Sequence, residues 1–226
     1  MFKLILDYKE ELLKAFFETF DMVLFSLIFS ILIGVFIGFI LFLTRKDGLY
    51  QNKIVYFIFS GLVNIIRSIP FFLLIIILIP LNDFILRDIL QLSTGFGVNA
   101  SKIPLTIIGF AVFARFTEQA FLSVDKNIYE TSYALGADHK QYVYLFLLKE
   151  SAHHLVLYIA STAISLLAYS TIMGVIGGGG LGHLAIKEGY QNFKYPLMWF
   201  IIIVMVIIVQ LIQFLGNIVA KKLDKR

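Results

Sequence analysis

Residues 22–43, MVLFSLIFSILIGVFIGFILFL, decide the fold: they carry no charge and no proline over twenty-two positions. As an α-helix that run is about 33 Å long, enough to cross a hydrocarbon core of about 30 Å. Arg45 and Lys46 close it, and Asp47-Gly48 marks a turn. A soluble domain has no way to hide such a segment, and the totals agree. Of the 226 residues 59% are hydrophobic and 15% charged, against roughly 45–50% and 25% in soluble domains. With 23 Phe and 11 Tyr, disorder is excluded as well.

Outward from this run the pattern recurs. Leu155 to Gly182 is uncharged and ends Gly-rich, and Tyr195 to Ala220 is uncharged and ends in KKLDKR. Ile54 to Leu81 is apolar but broken by Arg67 and Pro70. At about 42 Å it is longer than one crossing needs, so it must tilt, kink at Pro70 or lie partly in the interface. Ile103 to Ala114 is too short to cross alone and reaches spanning length only through Arg115 and Glu118. Those two are three residues apart, share a helix face and can partly neutralise each other. The reading is an all-α integral membrane protein with five spans, at about 22–43, 62–81, 103–122, 155–176 and 196–219. Residues 82–102, with Ser93-Thr94-Gly95, read as a loop. Residues 221–226 form a basic tail.

Before the first span, residues 1–20 place Ile5, Leu6, Leu13, Phe16, Phe17 and Phe20 opposite Asp7, Lys9, Glu10, Glu11, Lys14 and Glu18. This is the pattern of an amphipathic helix lying on the membrane surface; a short soluble lead-in is the alternative. The apolar run that follows is too long for a signal-peptide core, so the first span is expected to stay in the protein. Residues 21–220 then form one membrane domain, with no room for a folded catalytic domain.

Lys and Arg number 19 against 15 Asp and Glu, a net charge of +4. The cations sit at the ends of apolar runs, not on one face with stacking aromatics, which argues for topology signals and against nucleic acid. With the C-terminus inside, ten cations (Arg45, Lys46, Lys53, Lys126, Lys140, Lys149, Lys221, Lys222, Lys225, Arg226) fall on the cytoplasmic side. Seven (Lys3, Lys9, Lys14, Arg87, Lys102, Lys187, Lys194) fall outside. This bias favours an external N-terminus and a cytoplasmic C-terminus. Cysteine is absent, which removes disulfides and thiol chemistry.

The loop over 123–150 contains Asp125–Glu150, DKNIYETSYALGADHKQYVYLFLLKE. It reads as a short helix stopped at Gly136, then a second helix with Tyr142, Leu145, Phe146 and Leu148 as its apolar positions. A helix–Gly–helix knob for a partner's cleft and an ordinary amphipathic surface loop both fit.

Glu130-Thr131-Ser132, three residues, Gly136, nine residues and Phe146-x-Leu148 resemble the EAA motif of ABC importer permeases. Val63–Phe71 (VNIIRSIPF), Ala114–Ala120 (ARFTEQA) and Gly177–Gly182 (GGGGLG) are similar to stretches of the methionine-uptake branch of that family. The likeness runs in matching order from about residue 20 to the end. It implies a type I importer permease fold in a bacterial inner membrane. It also implies a coupling helix carrying Glu130, Thr131, Ser132, Gly136 and Ala137, docked in a groove of a separate ATPase. The resemblance further implies a homodimer, two ATPase copies that hold ATP and Mg, and an extracytoplasmic binding protein. This chain itself would bind no cofactor. The implied cargo is methionine, with histidine or cystine left open. Two departures stand out: Thr131 and Ser132 replace paired alanines, and Lys149 replaces the usual closing proline, so the second loop helix is expected to run on into the fourth span.

Other candidates are weighed on their chemistry. GGGGLG lacks the Lys-Ser/Thr of a phosphate loop and reads as a tight bend. Arg67, with Pro70, could hold a helix end, face the substrate path or snorkel to the interface. Arg115 and Glu118 read as a packing pair. Ser161, Thr162 and Ser165, and Gln210, Gln213 and Asn217, could line a pore or bond between helices. His139, His153, His154 and His183 lack ligand-like spacing, so no metal site is expected. The rival function is an ion-coupled secondary carrier, which would call for mid-membrane carboxylates and inverted repeats.

Overall fold

The computed structural model describes residues 6–89, 91 and 97–224. Every regular element among them is helical. α1 spans Lys9–Thr44, α2 Lys53–Ser68, and α3 Phe71–Asp83 with a π-helical extension over Phe84–Ile89. α4 spans Val98–Leu122, α5 Lys126–Ala134, and α6 runs as one rod over His139–Val175 with a π-helical stretch at Tyr142–Leu147. α7 is Gly180–Leu184 continued by a π turn over Ala185–Gln191, and α8 is Tyr195–Leu223.

α4 is the central helix and more than half buried along its apolar stretch, whereas α8 lies at the periphery and is largely exposed. Its main partner is α1. The reason lies in a stripe of small residues every fourth position on α1: Ser26, Ser30, Gly34 and Gly38, all buried. Small side chains let two backbones approach closely, the usual source of helix attraction where lipid removes the hydrophobic drive. A Cβ on Gly38 would stand 2.5 Å from the Ala114 carbonyl oxygen. Ser26 and Ser30 each donate a hydrogen bond across this contact, to the Lys102 and Thr106 carbonyls, at 3.2 Å.

Four apolar clusters line up along the molecule. Phe42, Phe121, Val124, Tyr142, Val143 and Leu147 close the end that carries the 123–150 loop. Ala15, Leu181, Leu184, Leu197 and Ile201 close the opposite end. Between them Met22, Leu74, Leu105, Ile108 and Leu166 form one core, and Ile37, Leu41, Val63, Ala111 and Ala114 another.

Two elements differ from the sequence reading, and a third takes one of the forms it allowed. The surface helix expected over 1–20 is not separate, since α1 is continuous from Lys9 to Thr44. Nothing in residues 9–21 breaks a helix, and Ala15 and Thr19 are buried against α7. The second apolar region, read as too long for one straight crossing, takes the kink at Pro70 that its length allowed, as two helices bent by 113° at Ile69-Pro70. Pro70 lacks an N–H and forces its predecessor out of the helical region, and Ile69 sits at φ −78°, ψ 125°. The loop expected over 82–102 is helical at both margins, through Ile89 and from Val98. Lys102 lies within α4, held by Asp21 at 2.7 Å and set over the Phe25 ring. The Ser93-Thr94-Gly95 turn lies outside the described residues.

Candidate functional site

The 123–150 loop is built by local hydrogen bonds that fix its shape. Asp125 caps α5 by accepting from the Asn127 N–H at 2.9 Å. At the other end Gly136 takes φ +79°, where a side chain would be strained. The Ala137 N–H then reaches the Ser132 carbonyl at 3.0 Å and the Gly136 N–H reaches the Tyr133 carbonyl at 2.9 Å. This pair of bonds is a Schellman stop. One residue later Asp138 opens α6 with a capping box: its carboxylate accepts from the Gln141 N–H at 2.7 Å, and the Gln141 side chain accepts from the Asp138 N–H at 2.9 Å. Only Gly136 and Ala137 separate a fixed end from a fixed start.

The inner face of α5 is anchored. Ser132 is 1% exposed and donates to the Tyr129 carbonyl at 2.7 Å. Ile128 and Tyr129 pack on the end cluster, Tyr129 edge-on to Tyr142 at 5.0 Å. The outer face carries Glu130 and Thr131, both exposed, beside Tyr133 at 71% and Leu135 at 72% exposure. Two large apolar side chains and a carboxylate on a rigid knob have the composition of a partner-binding surface. A cleft of about 510 Å³ opens alongside, between the turn after α1 (Arg45, Asp47, Leu49) and α5 (Asp125, Lys126, Glu130). Lys149 lies within α6, which passes through it unbroken.

Arg115 and Glu118 form an ion pair at 2.6 Å, with side chains 13% and 7% exposed. Arg115 also donates to the Ser60 hydroxyl and to Asn64 Oδ1 at 2.9 Å, and Tyr56 donates to Glu118 at 3.3 Å. The pair therefore ties α4 to α2. Tyr56, Ser60 and Asn64 escaped the sequence reading, although their fourfold spacing marks one helix face. Arg67 and Pro70 do not join this group; both are exposed at the α2–α3 break. Arg67 stands in the last turn of α2, where a cation favours the helix dipole.

At the opposite end GGGGLG turns the chain back, with Gly177, Gly179 and Gly180 at positive φ. The Gly180 N–H donates to Glu18 and the Leu181 N–H to the Thr19 hydroxyl, each at 2.8 Å. Those N–H groups are committed to α1, not to a phosphate. Nearby, Glu188 accepts from Lys194 at 2.8 Å and from Tyr8 at 3.0 Å. Hydrogen bonds from Lys194, then Asn192 and Tyr8, hold the Glu188 carboxyl down to about 2, and the same tie to Glu188 raises Lys194.

The polar residues of the last two spans do not converge. Ser161 and Ser165 donate to carbonyls within their own helix, of Leu157 at 3.0 Å and Ser161 at 2.9 Å. Thr162 likewise donates to Tyr158. Gln213 donates to Asn217 at 3.2 Å, and Gln210 is exposed. No group of three or more His, Asp or Glu among the described residues could hold a metal.

Residues 30–226 match the family described as Binding-protein-dependent transport system inner membrane component. The chain is 37% identical over 213 residues to the probable D-methionine transport system permease protein MetI of Haemophilus influenzae, covering 94% of this chain and 97% of that one. It is 41% identical over 188 residues to the methionine import system permease protein MetP of Bacillus subtilis, covering 83% and 82%. A chain of the MetNI methionine ABC transporter, solved in inward-facing conformations, superposes with a TM-score of 0.90 at 33% identity, covering 97% of this chain and 99% of that chain. A solved amino acid ABC transporter with histidines shares the fold, with a TM-score of 0.78 at 16% identity and 98% of each chain covered. Long apolar helices and these likenesses agree: the chain belongs to the family of binding-protein-dependent transport system inner membrane components.

Proposed function

We propose that this chain is the permease subunit of an ATP-driven importer of methionine, paired as a homodimer and served by two copies of a separate ATPase and an extracytoplasmic binding protein. The observation that carries the reading is the knob over 126–137. Its Schellman stop and capping box hold Glu130, Thr131, Tyr133 and Leu135 in one fixed outward array. A rigid apolar and acidic surface of this kind fits a groove on a soluble partner. ATP and Mg belong to that partner. Closure of two ATPase copies would carry both knobs together and switch the pore between inward-open and outward-open by rigid-body motion. Methionine rests on the names of the MetI and MetP relatives. The cation bias supports an external N-terminus and a cytoplasmic C-terminus, which puts the knob on the side where ATP is available.

In this reading Glu130 and Thr131 face the partner, the buried Ser132 anchors the inner face of α5, and Gly136 and Ala137 set the stop that aims the knob. Arg115 and Glu118 hold α2 on α4, while Arg67 and Pro70 set the α2–α3 break. Gln210 and Gln213, with Ser161 and Ser165, remain the polar groups available to a path between two copies. The carrier alternative is disfavoured by Glu118, which is already neutralised by Arg115 at 2.6 Å. The test is affinity purification from native membranes with an ATPase assay on the eluate, followed by uptake of labelled methionine into proteoliposomes. An ABC-type ATPase should arrive near one-to-one and be lost in Gly136→Trp. A chain that purifies alone, with uptake driven by an ion gradient, would overturn the reading.

A further inference from the structure

α8 packs on α6 and on the end cluster, where Val204, Met205 and Ile208 join Leu197 and Ile201, but leaves a gap beside α1. Near its start, Leu197 and Ile201 pack with Ala15, Leu181 and Leu184. Near its finish, Gly216 lies against Ala160, so close that a Cβ there would come within 2.7 Å of that side chain, and Ala220 is buried. α1 and α8 both rest on α6 and α7 but scarcely on each other. The result is a groove of about 600 Å³ with α6 as its floor. Thr19 is the single polar residue on its wall, and its hydroxyl is committed to the Ala15 carbonyl and the Leu181 N–H.

Two features point to an occupant. The groove runs from Phe16 and Leu181 at the opposite end to Val219, and the part of its α8 wall nearest the C-terminus, Ile208 to Val219, is about 16 Å long, close to the depth of one leaflet, about 15 Å. The groove ends at Val219, and the exposed Lys221 and Lys222 follow within the same turn. A second copy docked there symmetrically would bring its own Lys221 and Lys222 toward this pair, like charge on like. We propose that the groove seats an acyl chain of an anionic phospholipid from the leaflet that holds the C-terminus, with the headgroup phosphate on Lys221 and Lys222. The inference goes beyond transport and depends on neither the cargo nor the orientation.

The test uses the permease purified with its native partners in mild detergent. It is offered phosphatidylglycerol and phosphatidylcholine in equal amounts and read by native mass spectrometry. One phosphatidylglycerol per copy should be retained in preference. The preference should fall about fivefold for each lysine removed in Lys221→Gln and Lys222→Gln. Leu211→Trp fills the groove from an exposed position and should abolish retention while leaving thermal stability unchanged. Equal retention of the two lipids, unaltered by the lysine variants, would overturn the proposal. So would spontaneous disulfide dimers of Leu211→Cys, a clean reporter in a chain without cysteine, because they would put a second copy in the groove.

Discussion

Gly38→Ala should loosen the contact between α1 and α4 that organises the whole molecule. The added Cβ would stand 2.5 Å from the Ala114 carbonyl oxygen and 2.6 Å from Thr117 Cβ. Ordinary contact begins at 3.4 Å, so the helices must part by about 0.9 Å. Neither neighbour can yield, one being backbone and the other a side chain that is fully buried. The Ser30 bond to Thr106, already 3.2 Å, would then stretch beyond hydrogen-bonding range. Overpacking costs about 1–3 kcal/mol, and each lost interhelical bond about 0.6 kcal/mol. Alanine returns up to about 1 kcal/mol of helix propensity. The net loss is about 1–3 kcal/mol, or roughly 3–9 °C in Tm for a chain of this length. The assay is thermal unfolding of the purified permease followed by size-exclusion chromatography. Gly61→Ala is the control, since a Cβ there meets nothing within 4 Å. If Gly38→Ala melts with Gly61→Ala, the close approach of α1 and α4 is not what holds this fold.

Three further outcomes follow from the polar contacts. Removing one member of the buried pair, as in Arg115→Met or Glu118→Met, should destabilise by about 3–5 kcal/mol, and the double variant should recover most of it, read as a double-mutant cycle on Tm. Gly136→Val meets open space but is forced to keep φ +79°, so it should cost about 1–2 kcal/mol locally. ATPase affinity in a pull-down should drop while the permease keeps its Tm. The Glu188 carboxyl lies near 2, below its ordinary 4.5, so its tie to Lys194 and Tyr8 is fully present above about pH 4.5 and fades as pH falls toward 2. The difference in Tm between wild type and Glu188→Gln should therefore be constant above that range and shrink below it.

Hydropathy made the long helices legible because lipid imposes length and apolarity on the chain directly. Pro70 was legible too, since its effect on Ile69 is local. What escaped depends on partners far away in sequence. Lys102 reads as a loop residue until Asp21 and Phe25 are seen to receive it. Residues 9–20 read as a surface helix until α7 is found packed on Ala15 and Thr19. The Ser26, Ser30, Gly34 and Gly38 stripe was present in the sequence at a plain spacing of four. Its meaning came from Ala114 and Thr117 on the opposing helix, and from Gly109, where a Cβ would run into Ser30. At the knob, Gly136 announced the stop, whereas Asp138 and Gln141, the pattern that restarts the chain, went unread. The polar groups of spans four and five suggested a lining, but most of their hydrogen bonds are spent within their own helices.

The unbroken passage of α6 through Lys149 has a mechanical consequence. With no break there, His139–Val175 is a single lever about 55 Å long. One end is set by the Asp138 capping box, and the other abuts the Gly177–Gly182 turn pinned to Glu18 and Thr19. A tilt of 5° about the first end would sweep the second by about 5 Å. That displacement exceeds the reach of the two 2.8 Å bonds that fasten the turn to α1. The turn would therefore have either to let go of α1 or to drag it along, so that a tilt begun at the Asp138 end would load the Glu18 and Thr19 contacts at the other.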